Sequence, residues 1–194
     1  MARQKEFNQE EVLEQAMRLF WENGYKATSI RDLLKATGIS SSSLYEAFGD
    51  KRGLFLTALA RFCALEQASV AQIAASAPTP PVFIEQLFTQ LDGTLPMSGF
   101  PRGSLALNAM AEFGTLDTDV TQLLLAHYFA IAEIIHGALK RGQAEHTITN
   151  PAPPLHLAYT ILSTLHGVAM LKGVRPDFAY IPAVTRVILS LLNP

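Results

Sequence analysis

Apolar residues recur at helical spacing along nearly the whole chain, and nowhere is the every-second-residue alternation of a half-buried strand sustained. Val12, Ala16, Leu19 and Phe20 form one stripe, with Leu13 and Met17 beside it, and predict a first helix over 9–23. Asn8 stands at its cap, Phe7 and Val12 are spaced for a hydrophobic staple, and Gly24 ends it. Ile30, Leu33 and Leu34 mark a short second helix, with Ser29 and Asp32 in capping-box register. Gly38 turns the chain and Ile39 anchors the turn. Ser40 caps a third helix whose inward residues are Leu44, Ala47 and Phe48. A fourth helix follows over 50–76, with Leu54, Ala58, Phe62 and Leu65 inward, until Pro78, Pro80 and Pro81 break the pattern. Further helices are expected at 82–94, 103–113, 118–141, 154–172 and 178–192, nine in all, so the fold class is all-α.

The 25–55 stretch has the grammar of a helix-turn-helix: a support helix, a turn containing glycine, and a helix able to enter a DNA major groove. Here Ala16, Phe20, Gly24, Tyr25, Thr28, Ile30, Arg31, Gly38, Leu44, Tyr45, Phe48, Lys51 and Leu54 all fall into one spacing. On those residues the segment from about Phe7 to Phe62 resembles the DNA-binding domain of the TetR/AcrR family of bacterial transcriptional regulators. The resemblance covers the first third of the chain. It implies a DNA-binding domain over 1–50 and a helical effector-binding and dimerisation domain over 51–194.

The same resemblance nominates contacts. Tyr45 and Lys51 match phosphate-holding positions, and Thr28 and Ser29 match another. Arg31 matches a base-reading position in some members, where a guanidinium can read guanine in two hydrogen bonds; a solvated helix arginine is the equal alternative. Ser40, Ser41, Ser42 and Ser43 open the recognition helix, where short hydroxyls and free amides suit phosphates or base edges. Glu46 and Ala47 depart from the pattern, because many relatives carry aromatic or histidine side chains there. Glu46 would repel phosphate, although a carboxylate can accept from cytosine.

Charge adds little by itself. The formal net charge is −2, split as +1 over residues 1–61 and −3 over 62–194. Local clustering matters more, and Arg3, Lys5, Arg31, Lys35, Lys51 and Arg52 stand where a phosphate backbone could run. Hydrophobic residues make up 49% and charged residues 16%, the balance of a globular chain rather than a disordered one. The polar start lacks a signal-peptide core, and histidines interrupt the apolar runs at 120–139 and 155–171. A cytoplasmic location without membrane insertion is expected. One cysteine, Cys63, leaves no intrachain disulfide or zinc cluster.

No catalytic motif is present, and none of the five histidines pairs with another at helical spacing, so neither an enzyme nor a metal or other cofactor is expected. Gly99 to Asn108 resembles the opening of the sixth helix in a subset of the family, part of which has a sensor cysteine after the Arg-Gly step. Here that position is Ser104. The 154–172 helix is apolar nearly all round and the last helix similarly so, which calls for cover from a second copy. Residues proposed to line a site for a small, largely apolar effector are Phe62, Phe83, Phe88, Phe100, Asn108, Phe113, His127 and His166. The function expected is a homodimeric repressor of operator DNA that such an effector releases. The alternative is a helical small-molecule-binding protein that has lost operator binding.

Overall fold

The computed structural model describes residues 8–91, 103–174 and 179–193. Among these, all regular structure is helical: α1 (Gln9–Asn23), α2 (Ile30–Thr37), α3 (Ser41–Phe48), α4 (Lys51–Ser76), α5 (Pro80–Thr89), α6 (Leu105–Phe113), α7 (Thr118–Ala144), α8 (Pro154–Val174) and α9 (Ile181–Leu192). The chain packs as two compact units, one of 1–63 with 104–123 and one of 64–103 with 124–194.

In the first unit the caps act as the sequence predicts. Asn8 accepts from the amides of Glu10 and Glu11 and donates to the Glu11 carboxylate in return. Ser29 and Asp32 form the reciprocal capping box of α2. Gly24 (φ +78°) and Gly38 (φ +68°) hold positive-φ conformations at the ends of α1 and α2, which a side chain would strain; only Gly38 is a left-handed cap, because Gly24 has an extended ψ of 169°. Ala16, Phe20, Leu33, Leu44, Leu54 and Ala58 are wholly buried. A fully buried side chain of Leu or Phe size contributes about 1.5–3 kcal/mol, which holds three short helices that would not persist alone. Phe7, Arg3 and Lys5 lie outside the described residues.

The second unit is built around Phe83, Ile84 and Phe88 of α5, Ile135 and Leu139 of α7, and Ile161 of α8. Its connections are fastened by backbone hydrogen bonds: the amides of Thr149 and Asn150 donate to the Leu192 carbonyl at 3.1 and 3.0 Å. The proline run placed before α5 partly belongs to it. Thr79 caps the helix and Pro80 occupies its first turn, where a missing N–H costs nothing. α7 continues to Ala144, past the expected stop at 141, and Gly142 within its last turn is buried against Ile148 and Pro80 with no room for a side chain. Ser104 caps α6 instead of lying inside it.

α4, α7 and α8 are each long and apolar enough to cross a membrane by length and composition. α8 nevertheless buries one face only, through Leu157, Ala158, Ile161, Leu162, Leu165, Val168 and Ala169. Its other face turns outward at Ser163, Gly167, Met170, Leu171 and Val174.

Candidate nucleic-acid interface

α3 presents an exposed face in the first unit. Leu44 is wholly buried and Phe48 nearly so, which pins the helix by one edge. Ser41, Ser42, Tyr45, Glu46 and Ala47 consequently face outward, Tyr45 with 46% of its surface exposed. The Ser40 hydroxyl accepts from the Ser43 amide at 3.1 Å and lies 2.9 Å from the hydroxyls of both Ser42 and Ser43. The serine run is therefore an ordered helix start, with its first-turn amides directed outward. Glu46, one turn beyond Ser42, adds a negative charge to the same exposed face.

The nominated residues of the α1–α2 turn divide. Thr28 is wholly buried and its hydroxyl donates to the Gly24 carbonyl at 2.7 Å, so that side chain closes the turn and is not presented to solvent. Ser29 is exposed, and its hydroxyl and amide both donate to the Asp32 carboxylate. Those bonds hold Asp32 below the ordinary carboxylate range. Arg31 and Lys35 are exposed on α2.

Lys51 is half-buried, with Nζ 4.2 Å from the centre of the Tyr25 ring. That distance is a cation–π contact. Burial, reinforced by the nearby Asp50 charge, pushes the Tyr25 phenol up, so the ring remains neutral. Arg52, expected along the phosphate path, is engaged elsewhere. Its guanidinium meets Asp117 at 2.9 and 3.1 Å and Asp119 at 2.7 Å. Asp117 also caps α7 by accepting from the amides of Asp119 and Val120, and the Arg52 hydrogen bond holds its carboxyl low.

The residues nominated for an effector fall in both units. Phe62 packs edge-on against Trp21, and Phe113 packs against both Tyr25 and Phe55, so both rings are engaged by aromatic neighbours within the first unit. Asn108 donates to the Trp21 carbonyl at 3.5 Å in the same unit. Phe83 and Phe88 are buried in the core of the second. Phe100 lies outside the described residues. A small cleft of about 130 Å³ touches Phe83, beside Pro78, Arg141 and Glu145. That is well below the roughly 300 Å³ of a typical small-molecule pocket.

His127 is buried in the second unit, with Nε2 3.0 Å from Glu66 and Nδ1 3.1 Å from the Gln67 amide nitrogen. Gln67 and Glu66 thereby engage both ring nitrogens of His127. His166 lies over Tyr128, whose ring stacks with Tyr159, and burial lowers its pKa. Glu66 and Gln67 were invisible in the sequence as partners, because their spacing to His127 exists only after α4 and α7 pack.

Cys63 is buried, and Ser104 is spent as the α6 cap. A reactive cysteine needs an accessible, stabilised thiolate. Cys63→Ser is therefore expected to leave DNA binding and any induction unchanged in mobility-shift assays. Loss of induction at unchanged DNA affinity would make Cys63 a sensor.

Comparison with known proteins agrees with this geometry. Residues 12–58 match the family described as bacterial regulatory proteins, tetR family. The HTH-type transcriptional repressor ComR of Escherichia coli (strain K12) is 27% identical over 87% of this chain and 80% of its own. The HTH-type transcriptional repressor AcnR of Corynebacterium glutamicum is 46% identical over 63 residues, 32% of this chain and 33% of its own. The structure also resembles a cysteine-substituted form of the TetR family regulator CifR complexed with 26 bp double-strand operator DNA. The TM-score is 0.85 at 26% identity, covering 98% of this chain and 100% of that one.

Proposed function

The chain belongs to the TetR/AcrR family of DNA-binding transcriptional regulators, and we propose that it acts as a homodimeric repressor released from its operator by a small molecule. The observation that carries this reading is α3: an eight-residue helix pinned by Leu44 and Phe48, with its serine-rich start and Tyr45 turned to solvent. Each copy would lay Ser40–Phe48 in one major-groove half-site. The Ser41 and Ser42 hydroxyls, the Tyr45 phenol and the Lys51 ammonium would meet phosphates, with Ser29 and Arg31 at the flank. Thr28 would act through the turn it closes. Few long side chains lie on the reading face, so specificity would lean on Arg31, the Ala47 methyl and DNA shape.

In functional terms we divide the chain into a DNA-binding domain at 1–50 and an effector-binding and dimerisation domain at 51–194. The effector would be small and largely apolar, with His127 and His166 offering polar anchors within the apolar second unit. It would favour a state whose half-site spacing no longer fits the operator, with α4 carrying the change. A cytoplasmic location follows from operator binding. Glu46 on the exposed face of α3 favours the second reading, a ligand-binding protein that has lost its operator.

A mobility-shift assay on DNA flanking the protein's own gene separates the two: retention at low nanomolar protein supports the repressor, and its absence supports the second reading. Lys51→Ala is expected to weaken binding to all sequences by similar factors and to lower the log–log salt slope by about one per subunit contact. Tyr45→Phe should weaken binding likewise, without the change in slope. Unchanged affinity in both variants would remove them from the interface.

A further inference from the structure

We propose that Glu112 is a positioning residue for DNA binding: from the last turn of α6 its carboxylate holds the Tyr25 turn in place, so that the Tyr25 ring supports Lys51 at the phosphate backbone. This rests on the reading of Lys51 as a phosphate contact.

The chain between α1 and α2 is not helical, so its amides have no helical ladder to enter. The Glu112 carboxylate takes two of them at once. Oε2 accepts from the Tyr25 amide at 2.8 Å and Oε1 from the Lys26 amide at 2.6 Å. The Lys26 ammonium returns the contact to the Glu112 carbonyl at 3.4 Å. Both oxygens of one carboxylate on successive amides make a two-point clamp, and hydrogen bonds to an ionised acceptor are the strong kind. The neighbouring residue is glycine for the same reason. A Cβ on Gly24 would lie 3.0 Å from Glu112 Oε2, on a backbone already at φ +78°.

The clamp fixes the Tyr25 backbone, and three rings fix its side chain. Phe55 lies 4.9 Å away, Phe113 of the same α6 5.2 Å, and Phe20 6.2 Å. A ring held this way offers its face to Lys51 Nζ at 4.2 Å. The ring's negative face attracts the ammonium without consuming the N–H groups that point away from it, which stay available to a phosphate. A lysine side chain loses rotamer freedom when it is immobilised, and a platform formed before DNA arrives removes part of that cost from binding. α6 thereby sets the readiness of a DNA contact through a hydrogen-bonded turn and one aromatic ring, all within the first unit.

The test is a double-mutant cycle on operator DNA. Glu112→Gln keeps the shape but offers one oxygen to two amides. It is expected to raise the operator Kd about tenfold and to lower the salt slope by about one per subunit, as Lys51→Ala does. In the Lys51→Ala background the same substitution should change Kd by less than about twofold, because the contact it positions is gone. The Tyr25 and Lys26 amide proton resonances should move upfield in Glu112→Gln, and thermal melting confirms that the fold survives. Should that variant melt below the assay temperature, Glu112→Asp, which reaches one amide at most, is expected to show the same slope change with a smaller loss. A full additive loss in the double mutant, or an unchanged slope in the single, would overturn the positioning role while leaving Lys51 as a contact. An inert Lys51→Ala would overturn both.

Discussion

Gly167→Glu is expected to leave a folded monomer near the 21.2 kDa chain mass, and with it a protein that no longer retains operator DNA at nanomolar concentration. Within one copy the substitution meets no obstacle, since no neighbouring heavy atom lies within 4 Å of a Cβ built on Gly167. The cost falls on assembly. Gly167 sits in the outward stripe of α8, flanked by Met170 (53% exposed), Leu171 (56%) and Val174 (77%). On α9, Ala183, Val187 and Ser190 are exposed at helical spacing. In the proposed homodimer a second copy would cover these two stripes, and the small residues Ser163, Gly167 and Ala183 would allow the helices to approach closely. An unpaired carboxylate buried there costs about 3–5 kcal/mol, and a two-fold interface carries two of them. At about 1.4 kcal/mol per tenfold, the dimer constant weakens by more than about ten-thousandfold. A monomer then loses the second half-site and the gain from joining two binding events. Light scattering and a mobility shift on the same sample read both effects. A surviving dimer would place the interface elsewhere, and a monomeric parent would sink the dimer altogether.

Gly53→Ala is expected to lower the melting temperature and weaken operator binding, against the sign that helix propensity gives. In an ordinary helix the change stabilises by about 1 kcal/mol. Gly53 lies in the first turn of α4, where an added Cβ would run into the backbone carbonyl of Phe48, the last residue of α3. That same carbonyl accepts from the Asp50 amide at 3.0 Å, and Asp50 accepts from the Gly53 amide at 2.7 Å, so the junction has little slack. Overpacking of this kind costs about 1–3 kcal/mol, and the strain would be relieved by moving α3 relative to α4. Differential scanning calorimetry with an operator titration checks it. A stabilised variant with unchanged affinity would show that the α3–α4 junction yields freely.

The helices and their caps were legible because they are local. Asn8, Ser29 and Ser40 each satisfy amides two or three residues away, and Gly24 and Gly38 act through their own backbone angles. The helix-turn-helix was legible for the same reason, since α2, the turn and α3 occupy fewer than twenty consecutive residues. Thr28 marks the limit: its position was readable, but its burial and its bond to the Gly24 carbonyl depend on packing around the turn. Arg52 shows it again, as a cation in the expected stretch whose charge is taken by Asp117 and Asp119, some 65 positions along. Most of the effector nominations were aromatic residues chosen by type, with Asn108, His127 and His166 added as polar groups, and type does not distinguish a ring that lines a cavity from one, like Phe88, that fills a core.

The sequence by itself determined an all-helical chain, its cap residues, the helix-turn-helix and the resemblance to the tetR family that residues 12–58 match. Those properties follow from hydrogen bonds and periodicities that close within one helical turn or one short motif. Only the tertiary structure decided that Glu112 clamps the Tyr25 turn, that Tyr25 carries Lys51, that Gly53 abuts Phe48, and that α8 shows a single bare stripe instead of being covered on every side. The first two need α6 and α4 brought against the α1–α2 turn, and the last needs the core that consumes the opposite face. Contacts of that range depend on which surfaces the folded chain brings within a few ångströms, and spacing along a sequence carries no record of that.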